Sequence, residues 1–240
     1  KPDEIAFENR LYSYEKVPNQ QRQAVEKMFF TAEVDDRAAP ILVKLLSGEE
    51  GDLSPEERIY WTRFIVAARL RVPEIVNDLK KTASEELRRS LTEDHDAFLA
   101  VKGDIEAPTL LDWTDQTFVG LIDNFGMMIL PDIITDPEHN KIIEAMHWWV
   151  EDLSDANVTL LTSDRPLWVS TGLKKPNCLL AMPLSPTRVF FASRNPELQL
   201  ALGQQGVNRL VRRCNESLAS QAVRFVYGRA TLRFITRTLG

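Results

Sequence analysis

Residues 178–191 read CLLAMPLSPTRVFF, and this stretch decides the fold class. It holds two short β-type runs, 178–182 and 188–191, with Pro183 and Pro186 between them. Runs of about four to eight such residues, bounded by proline, glycine or asparagine, are typical of strands. A third run covers residues 158–161. We therefore predict a small antiparallel sheet in the C-terminal half of the chain.

Most of the remaining sequence is patterned for helices. Ser54, Pro55 and Glu57 form the clearest helix start, because a serine cap, a proline at the first position and a glutamate three residues after the cap make a capping box. Pro73 disfavours helical backbone at the residue before it, so this helix should end at Arg71. Apolar residues at helical spacing predict further helices at 20–46 (broken or kinked at Pro40 and ended by Ser47-Gly48), 74–89, 93–101, 114–125 (capped by Thr114), 137–146, 206–227 and 231–236.

These elements predict an α+β protein that is mainly helical, with one short additional strand at Leu11–Tyr14. The length of 240 residues fits a single domain over 1–240. Within it we expect a helical part at about 19–146, and the small sheet with the C-terminal helices at about 147–240.

Composition narrows the cellular setting. No stretch approaches the roughly 20 consecutive apolar residues of a membrane helix, so we expect no membrane partner. The two cysteines, Cys178 and Cys214, are far apart and have no CxxC spacing, which favours a reducing compartment and a cytoplasmic location. The net charge of −6 is unevenly distributed along the chain. Residues 188–240 hold nine arginines and two glutamates, a net +7, which leaves −13 for the rest.

Two segments, Thr162-Ser163-Asp164-Arg165-Pro166 and Met182-Pro183-Leu184-Ser185-Pro186, carry a family resemblance. The chain resembles an uncharacterised bacterial family, a domain of unknown function, over about residues 11–227. Members open with His-His-Tyr-Val-Pro, which this sequence does not contain. Further matches to the family are Glu26, Glu33, the Arg71-Val72-Pro73 segment, Asn208 and the segment 224–227.

Asp164 is the first candidate site residue. It follows an apolar run and precedes Arg165-Pro166, so a tight turn should present its carboxylate at the sheet edge. A carboxylate there could bind a metal, a ribose hydroxyl or an amine. The favoured alternative is structural, because aspartates at turns usually bond to nearby backbone groups.

Glu26 and Glu33 are the second candidates. Seven residues make about two turns of an α-helix, so the two carboxylates should lie nearly in line, with Arg71 as a candidate electrostatic partner. The favoured alternative is a solvated helix face, or ion pairs with arginines of the C-terminal helix. Asn208 is a ligand-binding candidate through the family resemblance.

The other polar residues indicate no cofactor. His95, His139 and His147 have no metal-ligand spacing, and neither a GxSxG nor a phosphate-binding glycine motif occurs. Arg209, Arg212 and Arg213, with Arg224 and Arg229, suit pairing to carboxylate or phosphate. Internal pairing with the acidic excess is the favoured interpretation, and a phosphate partner is the alternative.

Three functional hypotheses follow. The first is a protein that binds an anionic, phosphate-bearing ligand or nucleic acid in a polar cleft. The second is a metal-assisted phosphoester hydrolase or nuclease that uses Glu26, Glu33 and Asp164. The third is a non-catalytic interaction subunit assembled through its charge asymmetry. The sequence decides neither the reaction nor the oligomeric state.

Overall fold

The computed structural model of the chain describes residues 11–16 and 25–228. The fold is α+β, as predicted: it is mainly helical, and its sheet is antiparallel and lies in the C-terminal half. Contacts divide the chain into two compact units. The sheet unit contains Val34–Val72 and 136–228, and the helical unit contains 11–16, 25–33 and Pro73–Thr135. The expectation of a single domain over 1–240 stays a prediction.

The sheet unit is built on an antiparallel hairpin of β4 (Leu179–Ser185) and β5 (Arg188–Ser193), which confirms two of the predicted strands. Two strands flank this hairpin. β1 (His147–Asp152) pairs with β5 and begins where the sheet part was expected to start, whereas β3 (Trp168–Val169), which was not predicted, pairs with β4. The strand order is β1-β5-β4-β3. A second, two-stranded sheet joins β2 (Thr162–Ser163) to β6 (Val226–Tyr227).

Alternating side chains of the four-stranded sheet supply two cores, one on each face. One face packs against helices α1 (Asp36–Ser47), α2 (Pro55–Leu70) and α7 (Pro137–Glu144). The other packs against α8 (Glu197–Gly203) and α9 (Val207–Gln221). The period of two in strands sends Trp148, Leu180 and Phe190 to the first core and Trp149, Ala181 and Phe191 to the second.

The predicted start of α2 and the predicted ends of α1 and α2 are confirmed. Ser54 and Glu57 close the predicted capping box, with N···O distances of 2.8 and 3.2 Å. The helix ends at Arg71 as expected. Gly48 ends α1 in the left-handed region, at φ 84°, which glycine adopts without steric cost. Pro40 does not break the helix: it lies one turn inside α1, and the buried Ile41 and Leu45 that follow anchor the helix to the core.

The end of the sheet unit corrects two further predictions. Residues 158–161 form a loop rather than a strand, because Asn215 bonds to the main chain there, accepting from Leu161 N (2.8 Å) and donating to the carbonyl of Thr159 (3.0 Å). Helix α9 stops at Gln221, and residues 226–227 of the predicted helix form β6 instead. The helix predicted at 231–236 lies outside the described residues. A short 3-10 helix, Glu50–Asp52, connects α1 and α2.

The helical unit contains α3 (Pro73–Glu93), α4 (His95–Val101), α5 (Leu110–Thr117) and α6 (Leu121–Thr135). Gly126 lets α6 approach α3 closely, since a Cβ there would lie 2.7 Å from the Cα of Lys80. Thr114 is not a cap as predicted. It is buried inside α5, and the cap of that helix is Thr109, which accepts from Asp112 N at 3.0 Å.

The N-terminal part of the helical unit differs from the prediction in backbone type. Residues 11–16 form turns rather than a strand, and the Lys80 ammonium donates to the Leu11 carbonyl at 2.6 Å. The first described helix, Val25–Asp35, is a π-helix, so the predicted helix 20–46 divides at Asp35. Residues 17–24 lie outside the described part of the chain.

Candidate functional site

The carboxylate of Asp164 bonds to a remote segment rather than to its own turn. Val223 N donates to Oδ1 at 3.1 Å, and the amides of Arg224 and Phe225 donate to Oδ2 at 2.7 and 3.3 Å. The amide of Asp164 donates in return to the Phe225 carbonyl at 3.1 Å. The side chain is half-buried and accepts from three donors. It therefore joins the end of β2 to the residues just before β6, and we call this contact the Asp164 clamp.

The turn itself is closed by a different residue. The hydroxyl of Ser163 accepts from Arg165 N at 3.1 Å and lies 2.8 Å from the Arg165 carbonyl. The role that the sequence suggested for Asp164 in its own turn therefore belongs to Ser163. The Asp164 carboxylate bonds instead to the main-chain amides of residues 223–225.

Arg71 and Asn208, which the prediction grouped with Asp164, bond to other partners in the sheet unit. Arg71 Nη1 lies 2.8 Å from Oδ1 of Asp35. Asn208, in the first turn of α9, accepts from Asn157 N at 2.8 Å and so holds the loop after β1. None of the hydrogen bonds of Asp164 involves either residue. Asp164, Arg71 and Asn208 therefore each bond to a different part of the chain.

Glu26 and Glu33 are both exposed on the π-helix of the helical unit. A helix with i→i+5 bonds winds about 4.4 residues per turn, so seven residues cover roughly one and a half turns. The two side chains therefore leave opposite sides of the helix. The expectation that they lie in line is wrong, because it assumed α-helical winding.

The C-terminal arginines make several different contacts. Arg188, which is outside the predicted cluster, pairs with Asp152 at 2.8 Å. Arg213 donates to the side chain of Gln205 at 2.5 Å, whereas Arg209 and Arg212 are exposed on α9. Arg229 lies outside the described residues. Of the histidines, His147 lies on β1, is exposed and bonds to Gln199.

The sheet unit contains a cavity of about 550 Å³ whose polar lining is cationic. Its walls are Ile142 and Ala145 at the end of α7, Lys174 in the loop between β3 and β4, and Arg194 directly after β5. Arg194 Nη1 donates to the Lys174 carbonyl at 2.6 Å, which holds the two basic residues together. Neither basic side chain forms an ion pair with a carboxylate in residues 11–16 or 25–228. The cavity therefore offers two positive charges to a ligand.

Arginine side chains also act on groups that are close in the sequence to the residues lining this cavity. Burial raises the pKa of the Cys178 thiol, while its bond to Thr171 and the positive charges of Arg69 and Arg194 act in the opposite direction. The last carbonyls of a helix carry partial negative charge. Here Arg58 neutralises the end of α7, since it donates to the carbonyls of Glu144 and Met146 at 2.7 and 2.9 Å.

Sequence reasoning missed Lys174 and Arg194 because their proximity depends on strand register. Leu179 opposes Ser193 in the β4–β5 pair, so the residues before β4 and after β5 meet at one end of the hairpin. The Lys174-Lys175 dipeptide and the arginine after the run 188–191 were the available signals.

The part of the chain that the structure describes contains neither a metal-binding cluster nor a single membrane-spanning helix. No grouping of three or more His, Cys, Asp or Glu side chains there could hold a metal ion. No single described helix is long and apolar enough to cross a membrane. Helices α5 and α6 meet those criteria only as a pair, with a bend of 77° between them.

Comparison with known proteins identifies one family. The profile of the family described as "Protein of unknown function (DUF4238)" matches residues 1–231. No curated protein and no solved structure matches the chain.

Proposed function

The chain belongs to the DUF4238 family, and we propose that it is a binding protein for a small phosphate-bearing ligand. The observation that carries the proposal is the cavity of about 550 Å³ in which Lys174 and Arg194 have no carboxylate partner among the described residues. Cavities that take small molecules in proteins measure about 300 to 1,000 Å³. The volume therefore fits a compact molecule.

The two basic groups suit phosphate in complementary ways. The planar guanidinium of arginine can donate two parallel hydrogen bonds to phosphate oxygens, whereas a lysine ammonium acts as a point charge. Ile142 and Ala145 supply an apolar wall for the remainder of the ligand. A single strand of nucleic acid would require a longer basic groove with aromatic platforms, so a small molecule fits this cavity better.

The cellular setting belongs to the same proposal. We infer a bacterial, cytoplasmic protein. The state of the thiols supports the location, since Cys178 and Cys214 are both buried and unpaired.

Isothermal titration calorimetry with pyrophosphate tests the proposal. Replacing Lys174 or Arg194 by glutamine removes one charged hydrogen-bond donor, so each change should weaken binding by about tenfold or more. Added salt should weaken binding as well, because both basic side chains are exposed and their charges are screened.

The matched control is the pair Arg209→Gln and Arg212→Gln on α9. These variants lose the same charge from exposed positions of the same unit, and neither residue lines the cavity. They should bind pyrophosphate within about twofold of the wild type. Equal losses in both pairs would show general attraction by surface charge, and absence of binding by the wild type would refute the proposal. Tighter binding of a single-stranded oligonucleotide than of pyrophosphate would instead favour nucleic acid.

A further inference from the structure

A second cavity of the sheet unit, of about 250 Å³, has a different chemistry. It is lined by three segments of the chain: 160–162, 183–186, and Tyr227 with Gly228. None of the side chains that line it in the described residues is charged. This cavity therefore offers no positive charge to a phosphate-bearing ligand of the kind proposed above.

Backbone contacts hold the three segments in place. Leu160 N donates to the Pro186 carbonyl at 2.8 Å, which joins the first segment to the second. Thr162 opposes Tyr227 in the β2–β6 pair, which joins the first to the third. The Asp164 clamp fixes the chain just before Tyr227. The walls are consequently formed before any ligand arrives, which lowers the entropic cost of binding.

The lining combines apolar walls with hydroxyl groups. Leu160, Leu161 and Leu184, with two prolines, form the apolar part. The hydroxyl of Ser185 already accepts from Thr187 N at 3.2 Å. The hydroxyls of Thr162 and Tyr227 have no hydrogen-bond partner within residues 11–16 and 25–228, so both are available to a ligand.

We propose that this cavity binds a neutral ligand of about one ring, held by hydrogen bonds to the hydroxyls of Thr162 and Tyr227. The size follows from volume, since an apolar cavity of roughly 150 Å³ is enough for benzene, and 250 Å³ leaves room for a substituent. The neutrality follows from the lining, because a charged group placed there would lose water without gaining a counter-charge.

The electrostatics around Tyr227 agree with this ligand class. Burial raises the pKa of the Tyr227 hydroxyl, and the negative charge of Asp164 raises it further. The phenol therefore stays protonated at neutral pH and can donate a hydrogen bond. The same carboxylate disfavours an anion beside it.

Benzamide and benzoate provide a matched pair of probes, since they share a ring and differ mainly in charge. Saturation-transfer NMR at millimolar probe concentration should show binding of benzamide and much weaker binding of benzoate. Thr162→Val and Tyr227→Phe each remove a hydroxyl with little change of shape. Each should lower benzamide affinity by about fivefold, the effect of one hydrogen bond.

Tyr60→Phe is the control, because Tyr60 is in the same unit, does not line the cavity and bonds to Glu56. It should bind benzamide as the wild type does. Lys174→Gln should also leave benzamide binding unchanged, which separates this proposal from the phosphate site. If Tyr227→Phe does not fold, Thr162→Val carries the test. Absence of benzamide binding, equal binding of benzoate, or wild-type affinity in both hydroxyl variants would overturn the proposal.

Discussion

The replacement of Asp164 by asparagine probes the contact that joins β2 to the C-terminal segment. The carboxylate accepts three main-chain hydrogen bonds, one on Oδ1 and two on Oδ2. Asparagine offers one acceptor oxygen and one donor group. If its oxygen takes the place of Oδ2, its amide faces Val223 N–H and two donors oppose each other. Asparagine therefore cannot satisfy all three amides.

The cost can be estimated from these three bonds. Hydrogen bonds to a charged group contribute about 1.5–3 kcal/mol, and neutral ones about 0.5–1.5 kcal/mol. Two bonds become neutral, which costs about 1 kcal/mol each, and the third is lost. Because Asp164 is half-buried, water compensates for part of this loss. We expect Asp164→Asn to lower the free energy of unfolding by about 2 kcal/mol.

Urea unfolding followed by circular dichroism measures this change. Asp155→Asn is the matched control, since Asp155 is exposed, lies in the same unit and makes no ion pair in the described part of the chain. Its effect should stay within about 0.5 kcal/mol. Hydrogen exchange supplies a second readout, because local release of the clamp would expose the amides of residues 223–225 even if the global unfolding free energy changed little. Unchanged stability together with unchanged protection of these amides would refute the clamp.

Two further outcomes concern packing and thiol reactivity. Gly126→Ala should destabilise the protein by up to about 2 kcal/mol by urea unfolding, because the Cβ would lie 2.7 Å from the Lys80 Cα and the strain exceeds the gain in helix propensity. Gly203→Ala, with no atom within 4 Å of its added Cβ, should be neutral or stabilising, and equal effects of the two would contradict the close approach of α3 and α6. Burial raises the pKa of Cys214 to about 12, so its thiol should resist alkylation at pH 8 and react only after unfolding. Rapid labelling of native Cys214, located by mass spectrometry, would contradict its burial.

Features of the fold that depend on neighbouring residues were predictable from the sequence. The capping box at Ser54 and the glycine at position 48 act within one helical turn, so their residue types determine the outcome. Thr114 shows where this logic fails. Threonine suits both a cap and a buried helix position, and burial against the core decided between them. Whether Thr114 caps a helix or is buried inside one depends on contacts with residues outside the local sequence.

The wrong predictions in the C-terminal region arose because hydrogen bonds join residues that are far apart in the sequence. Residues 158–161 have strand-like composition, yet the Asn215 side chain takes the backbone bonds that a strand partner would take. The same holds for Asp164, whose partners are about 60 residues further along the chain. The sequence singled out Asp164 as a candidate, whereas its contacts with residues 223–225 could not be predicted.

The hairpin of β4 and β5 links the fold to both proposed sites. At its open end, Leu179 opposes Ser193. Lys174, in the loop before β4, and Arg194, directly after β5, line the cationic cavity. At its turn end, residues 183–186 line the neutral cavity. Seven residues of strand span about 20 Å, which exceeds the Debye length of about 8 Å at physiological salt. The strand length thus separates the two cavities far enough for charges at one to have little effect at the other, so a single hairpin can support two sites of different chemistry.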